Sequence, residues 1–142
     1  MPNKTNARYK EWKLWFERVI PFIKKDVILI GHSLGGIFLA KYLSENTFPV
    51  KIKATILVAA PFDDEDSGES LSDFKLPPSL KKFSEQSGKI YLIQSKDDPV
   101  VLFGELEKYK QALPEAKTLT FKDREHFNQE AFPELIQLIR TL

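Results

Sequence analysis

The sequence contains no cysteine. Disulfide scaffolds, thiolate metal centres and cysteine nucleophiles are therefore excluded. Histidine is almost as scarce. His32 and His126 are the two in 142 residues, so any imidazole chemistry has two candidates. Glycine occurs six times, and none precedes Gly31. No sign of charge dominates. Lys plus Arg number 21 and Asp plus Glu 20, a net charge of +1, which argues against a nucleic-acid binder held by a basic surface. Long apolar runs are missing too. The longest near the N-terminus, Val27-Ile28-Leu29-Ile30, falls far short of the ~20 residues that span a bilayer. The polar start Met1-Pro2-Asn3-Lys4 leads into no signal-peptide apolar region. The expectation is a cytoplasmic protein with no membrane and no nucleic-acid partner.

What is present fits one globular domain over residues 1–142. A chain of this length buries a core without staples. Residues 7–24 read as an amphipathic helix, with Trp12, Trp15, Phe16, Val19 and Ile23 on one apolar face. Pro21 weakens its last turns. Val27–Ile30 is β-branched, apolar and not alternating, the pattern of a strand buried on both faces. A helix follows from about Leu34 to Ser44. Further strands are expected at 52–60, 89–94 and 118–121, and further helices at 78–86, 102–112 and 129–141. Strands alternating with helices imply an α/β fold with a largely parallel sheet of about four strands. Residues 63–73 hold six acids and no base. This reads as a solvated loop, with a lid over about 62–76 as the functional alternative. The oxygen spacing of a calcium loop is not seen, and neither a metal nor a cofactor is expected.

Gly31-His32-Ser33-Leu34-Gly35 matches G-x-S-x-G between a buried strand and a helix, the setting of a nucleophile elbow. The turn is tight, and glycines are expected to be required at 31 and 35. Gly36 is expected to permit close helix–sheet packing. A Walker loop is absent because no Lys-Ser/Thr follows, and the spacing of a dinucleotide fingerprint is wrong. Ser33 would stand at the C-terminal edge of the sheet above a helix N-terminus, where developing negative charge is favoured.

A serine nucleophile needs a base. His32 is expected to point away from Ser33 as a packing residue. His126 lies after the last strand, on the same edge as Ser33. A histidine in this role needs an acid, and Asp97 and Asp98 both follow the third strand. Asp98 is favoured, with Asp97 as a turn residue. The order Ser33, Asp98, His126 is that of the α/β-hydrolase fold. The backbone N–H of Leu34 would be one oxyanion donor.

These residues resemble a known family. Ile30-Gly31-His32-Ser33-Leu34-Gly35-Gly36, Ser95-Lys96-Asp97-Asp98-Pro99, Glu125-His126-Phe127-Asn128 and the Trp-rich first helix are similar to the small serine hydrolases related to retinoblastoma-binding protein nine, within the α/β-hydrolase superfamily. The resemblance covers essentially the whole chain. It implies a three-layer fold and hydrolysis of small esters or amides through an acyl-enzyme, with the second Asp of the Asp-Asp-Pro run as the acid. In that family the histidine usually follows a glycine, where this chain has Glu125. The family's first strands and glycine-containing oxyanion loop would lie before Met1. The strand 27–30 is then expected at a sheet edge, open to a second copy or a protein partner. The rival function is a catalytically impaired hydrolase acting as an interaction module. A nucleotide-binding domain is disfavoured by the loop spacing.

Overall fold

The computed structural model describes residues 1–3, 5–65 and 70–142. Four strands form one sheet in the order β1-β2-β3-β4, and every neighbouring pair is parallel. They are β1 (Val27–His32), β2 (Ile52–Val58), β3 (Lys89–Ser95) and β4 (Lys117–Phe121). The helices are α1 (Tyr9–Val19), α2 (Leu34–Glu45), α3 (Lys81–Gln86), α4 (Gly104–Ala112) and α5 (Pro133–Thr141). Most of the helices pack on one face of the sheet, and α5 lies on the other. This is the three-layer α/β arrangement.

The boundaries follow local chemistry. Helix α1 ends at Val19, and Pro21 sits in a 3-10 turn over Ile20–Phe22. Pro21 lacks the N–H that a continuing α-helix would use. Strand β2 stops at Val58 rather than running to 60, because Ala59 turns out of the strand at φ 46°. Pro133 opens α5, where its missing N–H is no loss.

Helix α2 buries Ile37, Phe38, Leu39, Ala40, Tyr42 and Leu43. It is apolar almost all round, as a helix enclosed by its neighbours must be. Trp12 and Phe16 of α1 meet Phe38 edge-on at centroid distances of 5.7 and 5.5 Å. Each such pair adds about 0.5–1.5 kcal/mol beyond burial.

Two expectations are corrected. Trp15 is 47% exposed and not in the core, because the buried stripe of α1 runs through Tyr9, Trp12 and Phe16. Strand β1 is not buried on both faces. Ile30 is 44% exposed, while the expected edge position holds, with β1 an outer strand paired to β2 on one side. The segment over about 62–76 is anchored at both ends. Phe74 is buried against Tyr9 and Trp12, and Phe62 packs edge-on against Tyr109 at 5.0 Å. Residues 66–69 of that segment lie outside the described residues. Among the described residues, no helix is long and apolar enough to cross a membrane.

Candidate active site

Parallel strands send all their C-terminal ends to one edge, and the chemistry gathers there. Ser33 directly follows β1, and its N–H continues the ladder by donating to the Val58 carbonyl at 2.8 Å. The chain then reverses into α2. Ser33 takes φ 52° and ψ −123°, a sparsely populated conformation costing of order 1–3 kcal/mol. Its hydroxyl does not cap the helix and makes no hydrogen bond among the described residues. The Leu34 N–H, in the first turn of α2, likewise donates to no carbonyl among the described residues, as expected for a helix start.

The two glycines of the motif differ. A Cβ on Gly31 would lie 2.4 Å from the Gly35 carbonyl oxygen, so no side chain fits there. A Cβ on Gly35 would meet nothing within 4 Å. The expectation that Gly35 is sterically required is therefore corrected: of the two, only Gly31 is crowded. Gly36 is required by packing, because its Cβ would lie 2.5 Å from that of Ala60.

Ser33 and Leu34 line a cavity of about 640 Å³, within the usual range for small-molecule pockets. Pro61, Leu71, Phe74, Pro99 and Val101 supply apolar wall, and Thr5, Asn6 and Arg8 close it from the N-terminal segment. Sequence reasoning missed this segment, which carries no motif. Buried Glu105 shapes the wall by accepting the N–H groups of Phe62 and Asp63 at 2.7 and 3.0 Å. The Tyr109 hydroxyl donates to the Pro61 carbonyl at 2.9 Å.

Asp98 is 4% exposed and His126 8%. The imidazole Nδ1 lies 2.9 and 3.1 Å from the two Asp98 oxygens. A carboxylate there holds the proton on Nδ1 and leaves Nε2 with a lone pair. Asp98 is itself fixed. Its Oδ1 accepts the N–H groups of Val100 and Val101 at 2.8 and 2.9 Å, and its Oδ2 accepts from Gln94 Nε2 at 3.2 Å.

Asp97 does a different job. It is exposed, accepts from the Ser95 hydroxyl at 2.5 Å and from the Glu125 N–H at 3.0 Å. These bonds, the Ser95 hydroxyl first, hold its carboxyl below the ordinary carboxylate value. Ser95 Oγ accepts the Arg124 N–H at 3.0 Å. Ser95 and Asp97 together strap the loop that carries His126. Both residues flanking His126 are at positive φ, Glu125 at 46° and Phe127 at 54°. This gives physical meaning to Glu125 standing where the resembling family has glycine: the position is left-handed, and glycine enters that region freely.

His32 does not point into empty space. Its Nε2 donates to the His126 carbonyl at 2.7 Å, and the two rings are 4.8 Å apart. Desolvation lowers the His32 pKa from its ordinary value, against the opposing effect of that hydrogen bond. No three His, Asp or Glu side chains among the described residues converge where they could hold a metal ion.

The sheet and helices define an α/β-hydrolase-like fold, and the comparisons agree. The YdeN gene product of Bacillus subtilis superimposes with a TM-score of 0.84 at 21% identity, covering 99% of this chain and 78% of that one. The esterase domain of a Rhodothermus marinus protein gives 0.61 at 20% identity, over 84% of this chain and 59% of that one. A model of the serine hydrolase family matches residues 2–139. Serine hydrolase RBBP9 of Rattus norvegicus is 31% identical over 144 aligned positions, spanning all of this chain and 74% of that one. The chain therefore belongs to the serine hydrolase family.

Proposed function

We propose that the protein cleaves small esters or amides through an acyl-enzyme, with Ser33 as nucleophile, His126 as general base and Asp98 as the acid of a catalytic triad. The observation that carries this reading is the buried Asp98–His126 pair at 2.9 Å, on the sheet edge where Ser33 tops a strained strand-to-helix turn. In this reading the turn is a nucleophile elbow.

In the first step Ser33 Oγ attacks the substrate carbonyl carbon, and its proton passes to His126 Nε2. Asp98 stabilises the imidazolium. Negative charge develops on the carbonyl oxygen, and in this reading the Leu34 N–H at the head of α2 donates to it. Collapse of the tetrahedral intermediate breaks the bond to the alcohol or amine, which leaves with the proton from His126. Water then attacks the acyl-serine, with His126 again taking and returning a proton. Ser33 Oγ and His126 need not be hydrogen-bonded in the free enzyme, since such contacts tighten when substrate binds. The cavity of about 640 Å³ beside Ser33 and Leu34 supports a small substrate.

The test is covalent labelling with a fluorophosphonate probe. Labelling at Ser33, lost in Ser33→Ala while the variant stays folded, is the expected result. A folded protein that takes no label is not a serine hydrolase of this kind.

A further inference from the structure

The proposed triad leaves one of the two histidines without a task, yet that histidine makes a direct contact with the other. His32 Nε2 donates to the backbone carbonyl of His126 at 2.7 Å across 94 positions of sequence. We propose that His32 is a positioning residue, whose Nε2–H fixes the His126 peptide and thereby sets where the His126 imidazole presents Nε2. The effect on activity rests on the hydrolase reading above; the contact itself does not.

Three observations lead there. Asp98 holds the His126 ring through Nδ1, so where Nε2 points also depends on the backbone that carries the ring. That backbone is strained, with left-handed residues on both sides of His126. Arg124 N–H is held by Ser95, Glu125 N–H by Asp97, and Phe127 N–H by the Arg124 carbonyl at 2.9 Å. The His126 carbonyl of this loop accepts from His32. Finally, His32 is covalently joined to Ser33, with consecutive Cα atoms ~3.8 Å apart. One hydrogen bond thus ties the base's backbone to that of the nucleophile. Reacting groups displaced by about 1 Å can lose 10²-fold in rate.

The arrangement requires opposite tautomers. His126 carries its proton on Nδ1, facing Asp98, and His32 carries its proton on Nε2, facing the carbonyl. Desolvation disfavours a second proton on His32. NMR correlation of ring protons with ring nitrogens reads this on the intact chain at neutral pH. The two histidines give two signals, assigned with His32→Gln. Protonation of His32 at Nε2 is expected. A proton on Nδ1 instead removes the donor and overturns the proposal.

Activity supplies the second arm. His32→Gln keeps an N–H at similar reach, whereas His32→Phe fills the space without a donor. With p-nitrophenyl acetate, kcat is expected to fall about 10- to 100-fold in the Phe variant, with KM changed less than about 3-fold. The Gln variant should stay within about 3-fold of the wild type. His126 ring signals should broaden in the Phe variant and stay sharp in the Gln variant. If the Phe variant fails to fold, His32→Glu, of Gln size but lacking the donor, takes its place. A donor-less variant that matches wild type in kcat and in His126 line width overturns the proposal. If the wild-type protein takes no fluorophosphonate and cleaves no ester, the hydrolase reading fails separately. The tautomer and line widths then still decide the contact.

Discussion

The turn at Ser33 and the loop at His126 both hold non-glycine residues at positive φ, and they are held by different forces. The Ser33 turn is held by steric fit. Gly31 and Gly36 let the strand, the turn and α2 come closer than any side chain would allow. The His126 loop contains no glycine. Its left-handed residues are kept in place by polar straps from Ser95, Asp97 and His32. A sterically locked turn tolerates no added atom where it is crowded, at Gly31 and Gly36. A strapped loop tolerates substitution at its strained positions and is sensitive to loss of a strap.

Substitutions can break or sharpen this contrast. The largest effect is expected at the acid of the proposed triad. Asp98→Asn keeps an oxygen for the Val100 and Val101 N–H groups but can turn an amide N–H toward His126 Nδ1. That favours the wrong tautomer, and kcat should fall by about 10⁴-fold with the fold intact, as in comparable triads. Steady-state kinetics and circular dichroism check both halves. At the turn, Gly31→Ala places a methyl 2.4 Å from the Gly35 carbonyl oxygen. It should cost about 4 kcal/mol or more, the range of severe steric mutants, and thermal melting measures it. Gly35→Ala, two residues from Ser33, meets open space. It should leave the melting temperature unchanged or raise it, by up to about 1 kcal/mol from helix propensity.

In the loop, Glu125→Gly relieves a left-handed residue at an exposed position. The relief is about 1 kcal/mol, and the added freedom of the unfolded glycine offsets much of it. Denaturant midpoints should therefore shift by less than about 1 kcal/mol, in contrast to Gly31→Ala. The smallest effect concerns Asp97. Its folded carboxyl is held below the ordinary value, so the unfolded state binds a proton first as the pH falls. The strap's contribution is complete above about pH 4, the unfolded value, and is lost as pH falls through the folded value. The difference in melting temperature between wild type and Asp97→Asn should be constant from pH 7 to 5 and shrink below about 4.

The order of helices and strands was legible because each carries its own signal. Runs such as Ile56-Leu57-Val58 and Tyr91-Leu92-Ile93 are apolar without alternation, and only a strand covered on both faces takes such a run. They form the central strands. The same pattern misled for Val27–Ile30, where Ile30 is exposed, since an apolar run does not say that both faces are covered. Trp15 misled similarly. Helical spacing put it on the apolar face of α1, but packing uses a narrower stripe through Trp12 and Phe16. At the candidate site, positions were readable and contacts were not. Ser33, Asp98 and His126 follow three different strands, and a parallel sheet delivers such residues to one edge. The hydrogen bond from His32 had no signal in the sequence, because it joins residues 94 positions apart.

By itself the sequence determined the alternation of strand and helix, and with it a parallel sheet whose chemistry-bearing residues follow strand ends. These are properties of local periodicity, chirality and turn chemistry. Only the tertiary structure decided that Asp98 rather than Asp97 meets the imidazole, that Gly31 is required where Gly35 is not, and that Ile30 of β1 is left exposed. Each depends on which atoms from distant segments come within 2–4 Å of one another. That is set by packing of the whole sheet and its helices, not by any neighbourhood of the chain.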